Sequence, residues 1–377
     1  MFKNIKIENF RCFKSFELQQ LGRINLLVGE NNSGKTSILE AVQLLCSRTN
    51  FEPLSKIMAN RSEYVRDDDD DSRGIGLLLD VKHLFYGHEI EPESQFSISG
   101  INDNEEEKMT VSIRTRDLNP RNNHIGESNQ EFPGFDESLI ELRELNFSVI
   151  WTYQDKQEIS TLPLSINGGL ALIRTRQYRQ NPNKKVVRTQ FVTSSSLNSK
   201  QMIELFDEVV LTPEEKLITE ALQTIEPKIE RIASVTSNKF RNSELKTGFV
   251  VLLSDSTQRL PIGSMGDGMW RILGLALAIV CAKDGVLFVD EIDTGLHFTA
   301  MSDMWKLIWK TAKRLNVQVF ATTHSSDCWT SLASIAREED AAEDGITIQR
   351  IEKDKNTAVS FNEREIVIAA EREIEVR

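Results

Sequence analysis

The segment Gly29-Glu30-Asn31-Asn32-Ser33-Gly34-Lys35-Thr36 satisfies a GxxxxGK[ST] pattern in full. A glycine-rich turn of this kind, with a helix N-terminus behind it, presents successive backbone N–H groups to phosphate oxygens. The expected binding residues are Asn31, Asn32, Ser33, Gly34, Lys35, Thr36 and Ser37. In that arrangement Lys35 reaches the β and γ oxygens of a nucleotide and Thr36 ligates Mg²⁺. A second group is Asp290-Glu291, which closes the apolar run Val286-Leu287-Phe288-Val289. Adjacent carboxylates at a buried strand end are costly unless a cation compensates them. Mg²⁺ held through Asp290 would do so, leaving Glu291 to orient or deprotonate a water.

Two further segments belong with these. Ser264-Met265-Gly266-Asp267-Gly268 stands just before an apolar helical stretch, and small residues with free N–H groups at a helix start make a second anion site. The run Val317 to Ala321 leads into Thr322-Thr323-His324-Ser325, where a histidine at a strand end can bond a γ-phosphate and register its loss.

The elements that hold these residues follow from hydrophobic periodicity. Phe2 to Phe10 alternates with period two, Phe13 to Leu18 follows as a second strand, and Leu26-Leu27-Val28 is a core strand ending at Gly29. From Thr36, the residues Ile38, Leu39, Val42, Leu45 and Cys46 recur at helical spacing. The glycine loop therefore sits between a strand and a helix, as a phosphate loop must. Phe249 to Leu253 reads as a strand, Met269 to Ala282 as a buried helix and Ile346 to Ile351 as a late strand, an alternation that indicates an α/β core with parallel strands. The middle, about Asn50 to Lys246, reads as irregular insertion material. Within it, Thr212-Pro213-Glu214-Glu215 predicts a capped helix start, with a kink near Pro227.

A composition of 40% hydrophobic and 27% charged residues excludes a disordered or fibrous chain. Cys12, Cys46, Cys281 and Cys328 have no metal or redox spacing, and no signal-peptide pattern opens the chain, so a cytoplasmic setting is expected. The apolar stretch Ile272 to Ala282 falls short of the roughly 20 residues of a membrane span, and no membrane partner is expected. A net charge of −12 disfavours indiscriminate DNA binding. The acid-free segment from Ser160 to Met202 runs against that charge, with Arg174, Arg176, Arg179, Lys184, Lys185, Arg188 and Lys200. Asp67 to Asp71 reads as an exposed acidic loop.

Taken together, the strand Lys6-Ile7-Glu8-Asn9-Phe10-Arg11, GENNSGKT, SMGDG, LFVDE and TTH resemble the RecF/SMC/OLD branch of ABC ATPases, and most closely its stand-alone AAA15-type members. The resemblance implies an α/β P-loop NTPase fold: an ABC-ATPase head with a mixed or parallel core sheet, N-terminal antiparallel strands and a helical insertion lobe. The expected division is residues 1–75 and 246–377 for the two halves of the ATPase core, with 76–245 as the insertion. It also implies ATP and Mg²⁺ as cofactors and an ATP-dependent homodimer. Lys35, Thr36 and Asp290 would hold nucleotide and metal in cis, while Ser264, Gly266 and Gly268 would reach the γ-phosphate from the second protomer. Glu291 would be the catalytic carboxylate and His324 the switch histidine.

Departures from the family pattern narrow the reading. SMGDG stands where transporters show LSGGQ, which argues against a transporter nucleotide-binding subunit. Ile292-Asp293-Thr294-Gly295-Leu296-His297 resembles an OLD-type segment, in which His297 packs near the dimer interface without a catalytic role. No glutamine of a Q-loop is assigned. There is no sustained heptad pattern, and the 53 residues after His324 (377 − 324) are too few for the nuclease domain of the OLD proteins. The expected function is an ATPase whose dimer closure drives a separately encoded effector, a nuclease or toxin, in defence or DNA repair. The alternative is an ATP-gated DNA-binding clamp with slow turnover, motivated by the basic segment.

Overall fold

A computed structural model of the chain describes residues 1–66, 77–102, 104–115, 145–165, 167–171, 187–236, 247–338 and 345–376. The chain divides into two compact units: Met1–Asn4, Leu18–Leu39 and Val187–Arg377 form one, and Ile5–Glu17 with Glu40–Val186 the other.

The first unit is built on a six-stranded sheet in the order Thr189–Val192, Val286–Val289, Gln318–Thr322, Ile24–Val28, Ile346–Arg350, Val359–Phe361. The first five strands are parallel and the last antiparallel. Ile24–Val28, Val286–Val289 and Gln318–Thr322 are buried along their whole length, as sheets covered on both faces require, which is why Val286–Val289 reads as an unbroken apolar run. Buried Gln318 is paired within this layer: its Nε2 donates to the carbonyls of Phe2 (2.8 Å) and Gly22 (2.9 Å), and Phe2 N donates back to Gln318 Oε1. Helix Asp267–Cys281 is apolar almost all round and buried from Met269 onward except at Trp270. Helix Phe298–Leu315 is amphipathic, and its Trp305 indole donates to Cys328 O at 3.0 Å. Because the three central strands are parallel neighbours, in register at Val289↔Ala321 and Ala321↔Leu26, their C-terminal ends open on one edge of the sheet. That edge is where α/β sheets place ligands.

The second unit carries most of a six-stranded sheet in the order Phe13–Leu18, Phe2–Phe10, Gln95–Asn102, Glu105–Thr115, Leu145–Tyr153, Lys156–Pro163, whose last four strands pair antiparallel. Alternation sets its faces: Phe96 and Ile98, then Met109, Val111 and Ile113, are buried. Arg11, at φ 51°, turns the chain between the first two strands and is itself buried, with Nε 2.7 Å from Glu40 and Nη1 2.6 Å from Glu63. Arg61 completes the cluster on Glu40 at 2.7 Å.

One reading is refined here and one changes. The middle of the chain, irregular in composition, contributes four strands between Gln95 and Pro163 that pair as an antiparallel meander. The helix expected from Pro213 spans Glu215–Gln223 and stops ahead of Pro227, so there is no kink, and a strand begins at Ile229. Its capping box does not form: Thr212 Oγ1 donates to Val209 O at 2.6 Å, and the Glu215 carboxylate accepts from Leu211 N at 2.8 Å. The acidic run Asp67 to Asp71 lies outside the described residues, as do Arg174, Arg176, Arg179, Lys184 and Lys185. Arg188 and Lys200 are exposed, Lys200 beside Glu204 at 3.9 Å. Among the described residues no helix is long and apolar enough to cross a membrane.

Candidate active site

The loop Gly29–Thr36 leaves the strand Ile24–Val28 and enters the helix Lys35–Ser47. Gly29 (φ 140°), Asn32 (φ 61°) and Gly34 (φ 94°) take the left-handed conformations that bend the loop back on itself. At Gly29 the requirement is also steric: a Cβ there would stand 2.4 Å from Ile351 O. Asn31 and Asn32 are exposed, whereas Ser33, Lys35 and Ser37 are buried. Lys35 Nζ donates to the carbonyls of Gly29 (2.9 Å) and Glu30 (2.7 Å). Burial, opposed by the charges of Asp290 and Glu291, lowers its pKa to about 8. Ser33 Oγ is buried with no hydrogen-bond partner, a polar atom turned into the loop that a bound oxyanion would satisfy.

The acidic strand end meets this loop. Thr36 Oγ1 lies 3.1 and 3.2 Å from the two carboxylate oxygens of Asp290, across 254 positions of sequence. Thr322 Oγ1 donates to Asp290 Oδ1 at 2.7 Å and accepts the Glu291 backbone N–H at 2.7 Å, so one side chain orients both acids. Glu291 holds φ 47°, an uncommon conformation for a non-glycine residue, and its Oε2 accepts from Thr294 at 3.2 Å. Thr323 Oγ1 donates to Asp293 at 2.6 Å. His324, half-buried just past the end of strand Gln318–Thr322, has its pKa lowered by burial and then by the Lys35 charge.

One participant escapes sequence reasoning. Arg271, on helix Asp267–Cys281, is 3% exposed, and its guanidinium donates to Thr193 O (3.0 Å), Ser196 Oγ (2.9 Å), Glu291 O (3.0 Å) and Asp290 O (3.4 Å). The one available signal was that Arg271 is the only charged residue between Met269 and Ala282. The segment ahead of it behaves differently. Ser264 lies in a 3₁₀ turn, Gly266 (φ 96°) starts the helix, and both are exposed. Gly268 stands beside the loop after the acids, where a Cβ would be 3.8 Å from Gly295 O and Leu296 Cδ2. Among the described residues, no hydrogen bond joins Ser264, Gly266 or Gly268 to the Gly29–Thr36 loop. His297 is exposed, with Nδ1 2.9 Å from Thr299 Oγ1.

The donor set suits a hard divalent cation. A hydroxyl and a carboxylate oxygen face each other at Thr36 and Asp290, leaving further positions for phosphate and water oxygens, as Mg²⁺ prefers. Among the described residues no group of three His, Cys, Asp or Glu side chains forms a protein-only metal cage.

Comparison with known proteins fits this geometry. A family model described as an AAA ATPase domain matches residues 1–328. An ATP/GTP phosphatase of Helicobacter pylori is 24% identical over 363 residues, covering 91% of this chain and 90% of that protein. The DNA replication and repair protein RecF of Clostridioides difficile is 41% identical over 49 residues, 13% of either chain. Among solved structures, an SMC head bound to the C-terminal winged-helix domain of ScpA aligns over 96% of this chain and 97% of that one, with a TM-score of 0.47 and 11% identity.

Proposed function

From the premise that this chain belongs to the family of AAA ATPase domains and is an ATPase of the RecF/SMC type, we propose that Gly29–Thr36 binds ATP and that two copies close over two nucleotides. The observation that carries the assignment of residues is the Thr36–Asp290 contact, which couples the phosphate loop to the acidic strand end.

Each residue then has a role its surroundings support. The loop N–H groups and Ser33 Oγ bind phosphate oxygens, and Lys35 exchanges its two carbonyl partners for the β- and γ-phosphates. Thr36 and Asp290 would hold Mg²⁺, which would neutralise the phosphate charge. Thr322 keeps the Asp290 carboxylate aimed. Glu291 accepts a proton from the attacking water, its backbone fixed by Thr322 and Arg271. His324 donates a ring N–H to the γ-phosphate and registers phosphate release. Ser264, Gly266 and Gly268, with the helix start behind them, serve the γ-phosphate bound to the other copy.

The closure of the pair would be passed to a separately encoded effector, a nuclease or toxin, in DNA repair or defence. The RecF similarity supports work beside DNA. Phosphate release from ATP by the purified chain, compared with Glu291→Gln and Asp290→Asn, tests the site assignment: turnover unchanged in both variants would refute it. Nuclease activity from the purified chain alone would refute a separate effector.

A further inference from the structure

The strand Ile346–Arg350 runs parallel to the phosphate-loop strand, with Arg350 opposite Val28. Beyond it the turn stays against the loop. Ile351 N donates to Val28 O at 2.9 Å, and the Ile351 carbonyl occupies the space a side chain at Gly29 would need. This turn carries three cations, Arg350, Lys353 and Lys355. Two are neutralised locally, since Arg350 and Lys355 each lie 2.8 Å from the Glu352 carboxylate. Lys353 instead reaches across to the loop, its Nζ 3.5 Å from Glu30 Oε2, with both side chains well exposed, at 50% and 84%. An ion pair of that length between exposed groups holds weakly.

Glu30 thus touches two lysines: its carbonyl accepts a hydrogen bond from Lys35, and its carboxylate forms the ion pair with Lys353. Two lysines that converge on one residue of a loop rich in N–H groups form a site for the oxygens of a polyanion.

We infer that Lys353 is a second phosphate-binding lysine of this site, which leaves Glu30 and binds the terminal phosphates when ATP occupies the loop. The inference rests on the nucleotide reading above and adds a residue that follows the strand paired directly with the phosphate-loop strand. Because Lys353 is exposed, its substitution leaves the fold intact.

The test is equilibrium titration with a fluorescent N-methylanthraniloyl ATP, and with the corresponding AMP, in the presence of Mg²⁺. Lys353→Ala is expected to raise the Kd for the ATP analogue about fivefold to tenfold while leaving AMP binding within about twofold. Lys353→Arg should retain most of the affinity, and the loss should persist when Glu30→Gln is added. An unchanged Kd would overturn the proposal. So would a loss that disappears in the Glu30→Gln background, because Lys353 would then only screen Glu30. Lys35→Ala serves as the control. If the wild-type chain binds the ATP analogue, Lys35→Ala abolishes that binding and Lys353→Ala does not change it, the nucleotide reading stands and Lys353 fails. If the wild-type chain does not bind it at all, the nucleotide reading itself fails.

Discussion

The phosphate-loop edge of the core sheet and the start of helix Asp267–Cys281 are both glycine-bearing helix entries, yet they are finished to different degrees. At the first, Lys35, Thr36, Asp290 and Thr322 are locked by side-chain hydrogen bonds within one chain. At the second, Ser264 and Gly266 are exposed, and the nearest order is the Arg271 guanidinium one turn further on, bound to the carbonyls of Asp290 and Glu291. Preorganisation concentrates where charge must be held during reaction. An anion site left open at a helix start is the surface that the proposed second copy would complete. On that proposal, one chain supplies the phosphate loop and the acids, and the other would supply the donors at Ser264, Gly266 and Gly268.

The comparison breaks most severely at Lys35. Lys35→Ala should weaken ATP binding by about a hundredfold or more, because it removes a largely buried, charge-assisted contact to phosphate. By contrast, Ser264→Arg should lower turnover by about a hundredfold while leaving the affinity of one chain for ATP within about twofold, measured by nucleotide titration at low protein concentration. Equal loss of binding in the two variants would erase the distinction.

Arg271 joins the two regions, and its replacement should be felt in both stability and turnover. Arg271→Ala strands several buried acceptors, at roughly 1–3 kcal/mol each before relaxation, so chemical denaturation should show a loss of about 2–4 kcal/mol. Arg271→Lys keeps the charge without the planar fork and should fall between.

The pH dependence is smaller and has a definite sign. Burial holds the Lys35 pKa at about 8 in the free chain, so the ammonium that phosphate needs is lost as pH rises past that value. ATP affinity should be flat below it and fall by up to about tenfold per pH unit above it. Binding at pH 8.5 should take up protons, read from calorimetry in two buffers of different ionisation enthalpy. His297→Ala, at an exposed position, should change ATP binding by less than about twofold.

Much of the first unit was legible in the sequence because its signals are local. A strand such as Ile24–Val28, buried on both faces, leaves an apolar run, and a loop that must bring N–H groups together leaves glycines at fixed spacing. The meander of the second unit was passed over although Met109, Val111 and Ile113 alternate. Its central pairing joins Glu105–Thr115 to Leu145–Tyr153 across 29 intervening residues, a distance over which periodicity says nothing about partners. Arg271 was hidden for another reason: its partners are backbone carbonyls, which leave no residue-type signature. The helix near Pro213 forms, two residues later than its sequence suggests, but its capping box does not, because Thr212 bonds backward to Val209 instead of capping forward.

The most direct test of the shared site is light scattering of Glu291→Gln with and without ATP and Mg²⁺, alongside wild-type phosphate release. Loss of the water-activating carboxylate, with phosphate contacts intact, should reduce turnover by about a hundredfold or more and trap a dimer that appears only with ATP. A molecular mass that ignores nucleotide, with turnover retained in the variant, would contradict both the role of Glu291 and the closure of two copies over ATP.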